Sequence, residues 1–146
     1  MKLKKILSTL IISGALLLSA QPVFAAYESE PNDELETAQV INLNTLYEAT
    51  FSAPSDRDWF QFTIPSNGDY YIVSSKPSGT NFYIIPWKYN NATGEWVNVF
   101  STIEHAPTRT HDVIVLRDVK AGDRFAYQVY NHSSSTNVPY YTYFES

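Results

Sequence analysis

"WFQFTIPSNGDYYIVSS", residues 59–75, decides the fold class. Two runs rich in aromatic and β-branched residues, 59–64 and 69–75, flank the cluster Pro-Ser-Asn-Gly, whose members supply turn dihedrals and interrupt regular structure. Outward from this pair the pattern repeats every eight to twelve residues, the spacing of a sandwich. Upstream lies "LYEATF" (46–51). Downstream come "NFYIIPWKY" (81–89), "EWVNVF" (95–100), "THDVIVL" (110–116), "RFAYQVY" (124–130) and "PYYTYFES" (139–146). Pro, Gly, Asn and Ser fill the gaps between them. Eight strands without an internal repeat predict an all-β fold, an antiparallel jelly-roll-like β-sandwich. The one helical stretch is "ELETAQV" (34–40), a short N-terminal helix with Pro31-Asn32-Asp33 ahead of it as capping side chains.

Composition agrees. The 11 Tyr combine large apolar area with a polar tip, which suits sheet surfaces and wet interfaces. There is no Cys to staple the fold, so packing, or packing with a metal, has to supply stability.

Residues 1–25 read as a secretory signal peptide: Lys2, Lys4 and Lys5 form a basic start, 6–18 is apolar, and "VFA" (23–25) offers small residues at a cleavage site. The domain is then 26–146, secreted and free of the membrane after cleavage. Its seven basic residues face fifteen acidic ones, a net charge of −8. That balance argues against nucleic acid, which needs a basic footprint, and is compatible with bound cations.

Much of this charge is crowded into "AYESEPNDELETA" (26–38), which has five acidic residues and no basic one. In an extended chain Glu28, Glu30 and Asn32 share one face, with Asp33 following at the turn. Asp56 and Asp58 repeat the i, i+2 spacing at the entrance to the 59–64 strand. Several carboxylates with an amide oxygen, and no His or Cys, match the ligand chemistry of calcium, which takes six to eight oxygens. A solvated acidic N-terminus beside an ordinary Asp-rich turn is the plain alternative.

Period-two alternation assigns faces in two strands. Phe125, Tyr127 and Val129 share the core side of 124–130, leaving Tyr130 outward; Tyr140, Thr142 and Phe144 oppose Tyr141 and Tyr143. Exposed Tyr130, Tyr141 and Tyr143 would form either a recognition surface or a Tyr-rich covering of the sheet.

"ESEPNDELETAQVI" (28–41) and then "SDRDWFQFTIPSNGDYYI" (55–72) resemble the bacterial pre-peptidase C-terminal domain. They are also similar to the collagen-binding domains of clostridial collagenases, which carry an E-x-E-P-N-[ND] opening and a D-x-D-aromatic strand entrance. The likeness spans nearly all of 26–146. It implies a calcium site, with ligands Glu28, Glu30, Asn32 and Asp33 from the opening, and Asp58, Ser55 or Asp56, and an oxygen near Thr50 from the sandwich. It places Tyr130 at the position of an exposed binding Tyr; the basic neighbour of such modules is Asn131 here.

No enzyme is expected. His105, His111 and His132 lack zinc-ligand spacing and no G-x-S-x-G elbow occurs. Two functions remain. One is a stand-alone calcium-binding module that holds an extracellular polymer or protein (collagen-like, peptide or polysaccharide) through Trp87, Tyr130, Tyr141 and Tyr143. The other is an accessory, chaperone or inhibitor-like partner of a separate secreted protease.

Overall fold

The computed structural model describes residues 26–134 and 136–146; the signal-peptide reading of 1–25 lies outside the described residues. The eight strands read from the sequence are all present, as β3 (Tyr47–Phe51), β4 (Arg57–Thr63), β5 (Gly68–Ser75), β6 (Phe82–Asn90), β7 (Glu95–Asn98), β9 (His111–Val119), β10 (Arg124–Asn131) and β11 (Val138–Glu145). Three two-residue strands join them: β1 (Ala26–Tyr27), β2 (Gln39–Val40) and β8 (Glu104–His105). The expected helix over 34–40 contracts to a single 3₁₀ turn, Leu35–Thr37. The Thr37 amide donates to the Glu34 carbonyl and the Ala38 amide to the Leu35 carbonyl, and the chain is then taken into the sheet by β2. So short a turn cannot repay helix nucleation, and pairing wins.

The strands form two sheets, β1-β3-β11-β5-β9-β8 and β2-β4-β10-β6-β7. Pairing is antiparallel except at two edges, where β1 runs parallel to β3 and β2 parallel to β4. The sandwich is therefore mixed rather than wholly antiparallel. In the β6–β7 hairpin Gly94 adopts φ +74°, a left-handed conformation that glycine takes without strain, and its amide donates to the Asn90 carbonyl.

The core fills the space between the sheets as alternation requires. Phe125, Tyr127 and Val129 of β10 face Tyr140, Thr142 and Phe144 of β11, all buried. Phe62 and Phe144 stack across the gap with centroids 4.1 Å apart. Thr142 Oγ1 joins Tyr127 Oη at 2.8 Å and Ser74 Oγ at 2.7 Å, so the buried hydroxyls satisfy one another.

The aromatic quartet chosen from the sequence divides at this level. Trp87 and Tyr130 project from the outer side of the five-stranded sheet, β6 and β10 being neighbours there. Tyr141 and Tyr143 belong to β11 of the six-stranded sheet, whose core side is taken by Tyr140, Thr142 and Phe144. The four thus occupy opposite outer faces and form no single surface. Alternation ranks residues within one strand but does not say which sheet a strand joins. Tyr141 is exposed, while Trp87, Tyr130 and Tyr143 are half-buried.

Candidate metal centre

The N-terminal segment joins an edge of one sheet to an edge of the other. β1 ties it to the six-stranded sheet, and β2 ties it to the five-stranded sheet twelve residues after Tyr27. Between them strand pairing stops at Tyr27 and the Glu30–Pro31 peptide is cis. Glu28, Glu30 and Asn32 do not line one face of an extended strand, as the spacing predicts; a bend turns the Asn32 amide and side chain back onto Glu30 and Glu28. The Asn32 carbonyl accepts from the Trp59 amide at 2.9 Å, pinning the bend against the entrance of β4.

The acids of the two segments converge there. Glu28, Glu30 and Asp58 offer carboxylate oxygens within 4.8 Å of one another, and so do Asp33, Asp56 and Asp58. Asp58 belongs to both trios and is completely buried, as is Asn32. No Lys, Arg or His forms an ion pair with any of the five among the described residues.

Four of the five carboxylates are oriented by hydrogen bonds. Glu28 Oε1 accepts from Asn32 Nδ2 at 2.9 Å and Oε2 from the Thr50 amide at 3.0 Å. Glu30 Oε2 accepts from the Asn32 amide at 3.1 Å. Asp56 shapes its own loop: Oδ2 accepts from the Ser52 amide and Oδ1 from the Arg57 amide. Ser55 stands in this turn with φ +64°, exposed. Asp58 Oδ2 accepts from Tyr140 Oη. Two oxygens are left over: Asp58 Oδ1 and Asn32 Oδ1 are both buried and no N–H or hydroxyl donates to either, although a protonated Asp58 can share its proton with Glu28.

Burial pushes the Asp58 carboxyl up to about 9; the Glu28 charge adds to this and the Tyr140 hydroxyl opposes it. Glu28 is raised as well, chiefly by burial, against the pull of the Thr50 amide and Asn32. Carboxylates so placed need either protons or a cation. The two unpartnered oxygens are the observation that fits a cation, since a buried acceptor without a donor costs about 1–3 kcal/mol. The donor set is oxygen only, which suits calcium. Of the residues read from the sequence, Glu28, Glu30, Asn32, Asp33, Asp56 and Asp58 meet here, and Thr50 touches the cluster through its amide. For Ser55 the structure shows a place beside the cluster and no contact with it.

The outer side of the five-stranded sheet is the second region of interest. All three Trp of the chain sit on it. Trp59 and Trp87 lean together at 5.8 Å over the small Ala126, and Trp96 packs against the same group. Sequence reading finds only Trp87 and Tyr130 of this surface. Trp59 comes from a strand far off in the chain and Trp96 from the β6–β7 hairpin, and in both cases the signal lies in register.

No family model and no curated protein matches the sequence. Solved structures do. The pre-peptidase C-terminal domain of a collagenase from Bacillus anthracis superposes with a TM-score of 0.57 at 14% identity, covering 80% of this chain and 99% of that one. The chain has the fold of that domain. A mitogen from Yersinia pseudotuberculosis matches with a TM-score of 0.50 at 16% identity, covering 67% of this chain and 80% of its own. These likenesses establish the β-sandwich. No helix among the described residues is long and apolar enough to cross a membrane.

Proposed function

We propose that the protein is an exported, non-enzymatic β-sandwich module that takes up calcium at the Glu28–Asp58 cluster and binds an extracellular polymer or protein through an aromatic face. The pair of unpartnered buried oxygens, Asn32 Oδ1 and Asp58 Oδ1, carries this reading. Glu28, Glu30, Asn32 and Asp33 would supply ligands from the segment, Asp58 and Asp56 from the sandwich, with Ser55 and an oxygen near Thr50 completing the candidates. A bound calcium ion supplies the positive charge that five gathered carboxylates otherwise lack. The residues' own part is orientation: Thr50 and Asn32 hold Glu28, and Tyr140 holds Asp58. Because the ligands come from both sides of the 28–38 segment's attachment, binding and docking of that segment are one event.

The fold shared with the pre-peptidase C-terminal domain of a collagenase supports a binding role in place of catalysis. Calorimetric titration of the purified protein with calcium and with magnesium tests the site. One saturable calcium event is expected, lost in Glu30→Ala and Asp58→Ala, with magnesium much weaker because it demands a regular octahedron and gives up water reluctantly. Absence of calcium binding in the wild type overturns the reading.

A further inference from the structure

We infer that the outer face of the five-stranded sheet is a platform for an acidic polysaccharide, whose sugar rings stack on its aromatic side chains and whose carboxylates meet Arg124 and Arg57. This rests on the binding-module reading above and names the polymer class.

Three observations carry it. First, the cross-strand rows of this face are aromatic at both ends. Tyr89 and Trp96 pair across β6–β7 with Arg124 against both, while Arg57, Tyr130 and Tyr83 form the opposite row. About 20 Å separates the rows along β10, room for several rings in series. A pyranose presents a flat face of C–H groups, and a rigid aromatic surface buries it at little entropic cost. Second, both guanidiniums lie against aromatic rings and have spare donors. Arg124 Cζ lies 4.4 Å from the centroid of Tyr89 and 5.4 Å from that of Trp96, and Arg57 Cζ lies 5.2 Å from that of Tyr130. Neither side chain has a carboxylate partner or a hydrogen bond among the described residues. The N–H groups of each are therefore unused, and a planar guanidinium fork can take a carboxylate bidentately. Third, the charge is segregated. The protein carries fifteen acidic residues, yet no Asp or Glu occupies an outward position of β4, β6, β7 or β10. Asp123, beside Arg124 in the chain, is taken by Lys88 at 2.8 Å. Arg57 shares a depression with Asp33 and Asp56, so its charge is partly offset there until those acids hold a cation. Two arginines about 20 Å apart are too few for the continuous phosphate charge of a nucleic acid and suit a polymer whose acids are spaced between uncharged sugars.

Native gels containing hyaluronate, which alternates a uronic acid with a neutral sugar and does not gel in calcium, read the interaction as retarded migration in millimolar calcium. Hyaluronate methyl ester, polyglutamate, single-stranded oligothymidylate and denatured collagen run alongside. Retardation by hyaluronate is expected, weakened about tenfold or more in Arg124→Gln and in Trp96→Ala and by esterification, and unchanged in Arg109→Gln. Unaltered thermal midpoints in the two variants establish that they fold. Equal retardation by the ester, or by polyglutamate or oligothymidylate, overturns the proposal. Retention on collagen alone, lost in Trp96→Ala, overturns the polysaccharide class and keeps the module reading. Retention on nothing overturns both uses of this face, while the calcium site stands or falls on the calorimetry.

Discussion

Asp58→Asn is the sharpest perturbation of the acidic cluster, because it separates two things that Asp58 does. The residue is fully buried, accepts from Tyr140 through Oδ2, and leaves Oδ1 bare among Glu28, Glu30, Asp33 and Asp56. Asparagine keeps the shape and an acceptor for Tyr140, and its amide can donate to the surrounding oxygens. With the Asp58 carboxyl pushed up to about 9, the metal-free protein already holds it neutral near pH 7. In excess EGTA the variant should therefore stay within about 1 kcal/mol of the wild type. In calcium the two part. A ligand at a hundred times its Kd stabilises the native state by about 2.7 kcal/mol. For a chain of this length 1 kcal/mol moves the midpoint by about 3–5 °C, so the wild type should gain about 10 °C and the variant little. Differential scanning calorimetry at pH 7, with millimolar calcium or EGTA, reads both. Equal gains for wild type and variant would refute the reasoning, and so would an Asp58→Asn protein that melts far lower in EGTA, since Asp58 would then be ionised and paired in the metal-free fold.

Further outcomes follow from the same geometry. In chelator, urea stability should fall as pH rises from about 4 toward 9. Burial, aided by Glu28, raises Asp58 in the folded state, so its contribution is complete below the unfolded value of 3.8 and is lost as pH climbs through the folded one. Calcium should flatten that slope and release protons on binding, measurable by calorimetry in buffers of different ionisation enthalpy. Phe144→Ala, which removes the ring stacked on Phe62 across the core, should cost about 3–5 kcal/mol in urea with or without calcium. Thr142→Val strips the hydroxyl that links Tyr127 and Ser74 and should cost about 1–3 kcal/mol without altering calcium affinity.

The strands were legible because each long run of aromatic and β-branched residues ends in a turn cluster; 59–64 and 69–75 emerge as β4 and β5 within two residues at each end. β1, β2 and β8 were not, since two residues carry no periodicity, and each is held by the edge of a sheet built from distant segments. The acids of the centre could be listed from their density and spacing. Their convergence could not be derived from an extended chain, because it comes from a bend and from Asp58 serving both trios. For the aromatic face, Tyr130 follows from alternation in β10, but the company it keeps depends on β4, β10, β6 and β7 lying side by side, an order that is not the order of the chain.

The two-residue pairings that flank the acidic bend have a mechanical consequence. β1 runs parallel to β3, with the Ala26 amide donating to the Leu46 carbonyl and the Glu28 amide to the Glu48 carbonyl, each at 2.8 Å. Tension applied at Ala26 loads these bonds first, and next in line stands the carboxylate cluster, ahead of β2 and every long strand. A filled cluster would act as a clutch, passing force from the chain into both sheets at once. An empty one would let the segment slip while the sandwich behind it stays whole.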